Sequence, residues 1–197
     1  MSRPTRVTVW LAAAVLALGL SAAVAYLLTR SQGGGIADIG GPIDLASSAG
    51  GRFTDADRAG KPYAIFFGFT RCPNICPTTL SDLTLDLDEL GPLADRIEVF
   101  FVSVDPERDT PESMKEYLSA FDPRILGLTG TPDEIARIAK DYRVFYRKVP
   151  TEGGDYTMDH TASVYLMNGK GQLVGTIAFE EDRKTQVAKL KRLAESS

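Results

Sequence analysis

The apolar positions along this chain change regime three times. Residues 7–28 (VTVWLAAAVLALGLSAAVAYLL) contain no charge and no proline, with Thr8 and Ser21 as the polar side chains. At about 1.5 Å per residue such a run crosses a hydrocarbon core about 30 Å thick, so it predicts a transmembrane helix. Residues 31–51, rich in Gly, Ser and Ala, predict a flexible linker with a short ordered piece around residues 42–45. From Phe53 onward, apolar runs at 64–69, 98–104, 125–128, 163–167 and 173–178 alternate with segments of helical period. That alternation predicts an α/β layered domain with a largely buried sheet. The expected organisation is therefore an anchor over 1–30, a linker over 31–51 and a domain over 52–197.

Helix start signals sharpen the pattern. Leu80, Leu83, Leu87 and Leu90 recur on one helical face after Pro77, and because proline disfavours helical dihedrals at the residue before it, the helix is expected to begin after Cys76. Thr110-Pro111-Glu112 supplies an N-cap and a first-turn proline, and Thr131-Pro132-Asp133-Glu134 a capping box ahead of Ile135, Ile138 and Tyr142. Asn168-Gly169-Lys170-Gly171 predicts a hairpin between the last two strands, followed by a helix over 184–194.

Charge adds an orientation. Arg3, Arg6 and the amino terminus precede the apolar span and Arg30 follows it, which favours a cytoplasmic N-terminus and a domain on the periplasmic side of a cytoplasmic membrane. The competing reading is a signal peptide cleaved after Ala23-Val24-Ala25; the length of the apolar run favours the anchor. Three of the 22 Lys and Arg lie in the first thirty residues and all 26 Asp and Glu lie beyond, leaving 19 cations against 26 anions, a formal −7. No basic run interleaved with aromatics occurs, which argues against a nucleic-acid partner.

Soft-ligand chemistry is confined to three side chains. Cys72 and Cys76 are the only cysteines and His160 the only histidine. Both thiols sit where a strand hands over to a helix N-terminus, a location that lowers thiol pKa values. Three readings are open: a structural disulfide, a catalytic dithiol, and a thiolate metal site completed by His160. Two thiolates and an imidazole form a soft three-coordinate set suited to Cu(I), whereas structural zinc would want a fourth ligand. Asp159, beside His160, is a candidate to orient the imidazole or to supply a weak oxygen ligand to Cu(II).

Several motifs occur in an order that resembles the SCO/SenC family of cytochrome c oxidase assembly proteins: Gly60-Lys61-Pro62, the run from Phe66 through Cys72-Pro73-Asn74-Ile75-Cys76 to Leu80, the run from Val102 through Asp105-Pro106-Glu107-Arg108-Asp109 to Pro111, and Asp159-His160. The resemblance covers roughly residues 40–194. It implies a thioredoxin-like fold with a central mixed sheet flanked by helices and tethered to the membrane. It also implies a copper site made by Cys72, Cys76 and His160, and a role in maturing the copper centre of cytochrome c oxidase subunit II, with other copper-delivery proteins as further partners. The alternative is a thiol-disulfide oxidoreductase that reduces the cysteines of that centre and needs no histidine. A peroxidase of the same fold is disfavoured because Phe69 stands three residues before Cys72 where that chemistry would have Thr. Asn74 and Ile75 depart from the family's frequent aspartate and valine, and Arg71 from its histidine. The acidic loop 105–109 is expected at the thiol edge of the sheet as a docking surface or, for Asp109 and Thr110, as a turn and helix cap; the role of Asp105 is open.

Overall fold

The computed structural model describes residues 10–11, 15–24 and 39–196. The chain divides into two compact units, residues 1–38 and 39–197. In the first, residues 10–11 and 15–24 are helical, and Leu16, Leu18 and Leu20 are exposed. The rest of the expected membrane span lies outside the described residues, and among those described no helix is long and apolar enough to cross a membrane.

The second unit is built on a seven-stranded sheet. Its elements are β1 (Asp44–Ser47), β2 (Arg52–Thr54), β3 (Tyr63–Gly68), α1 (Ile75–Leu90), a 3-10 turn (Gly91–Arg96), β4 (Glu98–Ser103), α2 (Pro111–Leu118), β5 (Ile125–Thr129), α3 (Pro132–Asp141), β6 (Tyr146–Pro150), β7 (Tyr156–His160), β8 (Val164–Met167), β9 (Leu173–Ile177) and α4 (Arg183–Glu195). The sheet order is β2-β1-β5-β4-β3-β8-β9, while β6 and β7 pair only with each other. β3, β4 and β5 run parallel and the other pairs are antiparallel. Every residue of β3 is buried, which is why it reads as an unbroken apolar run: helices cover both faces of a central parallel strand. α1 packs on α4, and α2 on β5.

The expected caps form. Thr110 and Thr131 each accept the backbone N–H of the third helical residue, Ser113 and Glu134, whose side chains bond back to the cap. Two expectations are corrected. The folded unit begins at Ile39, so residues 39–51 of the expected linker belong to the domain: Ile43 and Leu45 are fully buried, Gly50 and Gly51 take the left-handed turn (φ 98° and 71°), and β1 pairs with β5. α1 begins at Ile75, placing Cys76 inside its first turn. Pro77 is tolerated there because first-turn N–H groups have no carbonyl partner to lose.

Candidate metal centre

The thiol loop starts where β3 ends. Beyond Gly68 the buried Phe69 carbonyl accepts the Cys72 N–H at 3.3 Å, and the intervening turn is held from the neighbouring strand. Asp109, 1% exposed, accepts three hydrogen bonds: from Thr70 N–H (3.0 Å), Thr70 Oγ1 (2.6 Å) and Ser103 Oγ (2.6 Å). Asp105, equally buried, is paired with Arg108 Nε and accepts from the Tyr156 hydroxyl at 2.8 Å. The loop 105–109 does stand at the thiol edge of the sheet, but its two aspartates are interior struts rather than a docking surface. Thr110 caps α2; Asp109 instead ties the β4–α2 loop to the thiol loop.

His160 closes β7, and β8 leads back alongside β3 with Val164 opposite Phe66. This register brings a residue 84 positions away to the thiols: His160 Nε2 lies 3.5 Å from Cys76 Sγ, and the two sulfurs and an imidazole nitrogen all fall within 4.8 Å of one another. Both thiols are free; Cys76 is buried and Cys72 half-buried. The Thr161 carbonyl can only accept, so its 3.0 Å contact puts the proton on Nδ1 and leaves the Nε2 lone pair facing the sulfur. Phe66 and Phe69 stand edge-on to the ring. Asp159 does not orient the imidazole: neighbouring residues of a strand point to opposite faces, and its carboxylate is held by Arg147 at 2.8 and 3.0 Å.

The sulfurs divide one proton between them. Cys72 is held far below an ordinary thiol, to about 4, by hydrogen bonding from the Cys76 thiol, with the Cys76 backbone N–H (3.3 Å) adding to it against partial burial. Cys76 moves the opposite way, because its proton is shared with the Cys72 sulfur, burial disfavours its charge, and a second thiolate beside the first is repelled. The resting pair is therefore a thiolate at the mouth and a thiol beneath it. Gly68 makes room for that buried sulfur, since a Cβ there would stand 2.7 Å from Cys76 Sγ.

The donor set suits a soft metal ion. Bonds of about 2.0–2.3 Å to nitrogen and sulfur put trigonal ligand atoms roughly 3.5–4 Å apart, so the observed spread needs at most about 1 Å of closure. The site opens into a cleft of about 540 Å³ lined by Phe69, Asn74, Ile75, Phe145 and Met158 besides Cys72 and His160. Phe145, 58% exposed, stands at its rim; beside Val144 and Tyr146 nothing in the sequence sets it apart.

The SCO1/SenC family model matches residues 31–195. The chain belongs to this family. It is 42% identical over 163 residues to the mitochondrial protein SCO1 of Saccharomyces cerevisiae, covering 81% of this chain and 55% of that protein, and 38% identical over 153 residues to the human SCO1 homologue, covering 76% and 50%. This SCO1/SenC chain thus spans about half the length of the curated relatives it matches. Among solved structures it is similar to Bradyrhizobium japonicum ScoI with copper bound (TM-score 0.73, 49% identity, 79% of this chain and 99% of that one). It is also similar to yeast Sco1 with copper bound (TM-score 0.73, 41% identity, 81% and 90%). The mixed sheet with flanking helices is the fold of these Sco structures.

Proposed function

We propose that this SCO1/SenC protein is a copper chaperone for cytochrome c oxidase assembly, with Cys72, Cys76 and His160 as its ligands. The observation that carries the reading is the Nε2 lone pair, fixed by the Thr161 carbonyl and aimed at a thiol pair in an open cleft. Copper is the cargo. Two sulfurs give Cu(I) a soft pair, the imidazole favours Cu(II), and the half-buried Cys72 offers the side from which an acceptor's own thiolate and imidazole ligands take over. The acceptor in this reading is cytochrome c oxidase subunit II. Oxidation of the pair to a disulfide removes two of the three ligands, so redox state gates loading. Residues 7–28 anchor the chain in the cytoplasmic membrane with the domain on the periplasmic side, and tethering raises its local concentration at a membrane-bound acceptor.

A second reading rests on the thiolate–thiol arrangement. Cys72 thiolate can attack a target disulfide, expelling one target thiolate and forming a mixed disulfide. Cys76, after losing its proton, then displaces the second, leaving a Cys72–Cys76 disulfide and a reduced target. Copper titration of the reduced full chain against Cys72→Ser, Cys76→Ser and His160→Ala separates the two. The copper reading expects each serine variant to lose tight binding and His160→Ala to lose Cu(II) affinity while still forming the disulfide. Full copper binding by His160→Ala would leave the oxidoreductase.

A further inference from the structure

His160 is carried by the β6–β7 hairpin, which has no strand partner in the main sheet. Beyond its chain connection to β8, which pairs with β3, the hairpin is therefore held by side chains. Alternation along β7 puts Tyr156, Met158 and His160 on one face; Met158 is buried, so that face is turned inward, and Asp159 is exposed on the other. Tyr156, four residues from His160, is held on three sides. Its hydroxyl donates to Asp105 Oδ1 at 2.8 Å, the Arg108 guanidinium lies 3.7 Å over its ring, and Arg108 Nη1 donates to its carbonyl at 2.9 Å. Arg108 also reaches Asp155 and, through Nε, Asp105. Asp105 and Arg108 belong to the same β4–α2 loop whose Asp109 fixes Thr70 beside the thiols. One loop thus grips both halves of the ligand set, the thiol turn through Asp109 and the imidazole hairpin through the clamp on Tyr156. Lys148, paired with Glu107 and 4.6 Å from the centre of the Tyr156 ring, is exposed, as is Glu107, and this contact adds little.

We propose that Tyr156, clamped by Arg108 and Asp105, is a positioning residue that sets where His160 Nε2 stands relative to the Cys76 sulfur. The inference rests on the copper reading for its consequence but concerns geometry present without metal.

A single histidine makes the test direct, since 15N-histidine labelling reports one ring. The reduced full chain in detergent micelles is compared with Tyr156→Phe, which keeps the ring under Arg108 and removes the hydroxyl, and with Arg108→Lys. Arg147→Ala, on the outer face of the same hairpin, is the control, and His160→Ala the reference. Without metal, wild type and Arg147→Ala should show two well-separated ring nitrogens, Nδ1 protonated. Tyr156→Phe and Arg108→Lys should show the pair drawn toward a tautomeric average. With Cu(II), both clamp variants should bind at least about 10-fold more weakly and lose nitrogen coupling in the electron paramagnetic spectrum, while Cu(I) affinity stays within about 3-fold. Wild-type nitrogen shifts in both clamp variants would overturn the inference. Loss of cooperative melting in both would also overturn it, by showing that the clamp serves the fold. If His160→Ala binds Cu(II) as wild type does, the copper reading fails, and the metal-free nitrogen shifts still decide the inference.

Discussion

Gly68→Ala places one methyl group against the site. Its Cβ would stand 2.7 Å from Cys76 Sγ and 2.7 Å from Phe101 Cε2, where unstrained contacts lie at about 3.5–4.0 Å. One partner must retreat by roughly 1 Å. Phe101 is fully buried, with the Phe66 ring 5.9 Å and the Tyr117 ring 6.0 Å away, and has nowhere to go. The Cys76 sulfur yields instead, and it is only 3.5 Å from His160 Nε2 to begin with. Overpacking of this kind costs about 1–3 kcal/mol, which for a domain of this size lowers Tm by about 2–12 °C. Thermal melts and copper titrations of the reduced protein measure both consequences. The double variant Gly68→Ala/Cys76→Ala should regain part of the stability, since the clashing sulfur is gone, without regaining copper binding. A Gly68→Ala protein that melts and binds copper as wild type does would refute the assigned contact between β3 and the first turn of α1.

Further expectations follow from the struts and charges. Asp109→Ala leaves the two Thr70 donors and the Ser103 hydroxyl without their carboxylate; a loss of about 3 kcal/mol is expected in denaturant melts, with faster alkylation of the thiol loop, and unchanged stability would refute its role. Cys76→Ala removes the donor that holds Cys72 low, so the pH midpoint of Cys72 alkylation, expected at about 4 in the wild type, should rise toward an ordinary thiol; an unmoved midpoint would show that other groups depress it. Asp86, buried in α1 with one oxygen unpartnered and Arg183 Nε 3.3 Å from the other, is pushed up to about 6, chiefly by burial. A carboxyl raised in the folded state binds its proton more tightly than in the unfolded chain. Its contribution is thus full below about pH 3.8 and lost as pH rises through about 6. Asp86→Asn should flatten that part of the Tm–pH curve, and an unchanged slope between pH 4 and 6 would refute the assignment.

The parts of the fold that could be read from sequence are those where one physical effect dominates. β3 and β4 are continuous apolar runs because both sheet faces are covered, and α2 and α3 announce themselves by caps and first-turn prolines. β1 was legible only as a short ordered piece around residues 42–45 and β2 not at all, because three or four residues among glycines and serines carry no period; β1 gains its order from β5, some eighty positions on, and β2 from β1. The β6–β7 hairpin was equally silent: the face it turns inward carries Lys148 and Pro150 beside Tyr146, Tyr156, Met158 and His160, and the other face carries Val149 beside Arg147, Thr157 and Asp159, so no apolar alternation marks it. The trio of Cys72, Cys76 and His160, which the fold brings together, was legible as a candidate site because the chain holds no other cysteine or histidine. The imidazole tautomer was not, since it depends on a backbone carbonyl, and neither was the part played by Asp105 and Asp109, whose burial follows from the β4–α2 turn rather than from residue type.

The origin of the three ligands also separates the two chemistries open to this site. Cys72 and Cys76 lie four residues apart on the end of β3 and the first turn of α1, so the pair survives any motion of the hairpin. His160 arrives from the other side of the fold and keeps its place through contacts that each involve one or two side chains. On the function proposed above, displacing the hairpin would therefore take away the third ligand and leave the two thiols together. Substitutions that release Tyr156 from its clamp are therefore expected to weaken metal binding while leaving disulfide formation by Cys72 and Cys76 intact, without touching a proposed ligand.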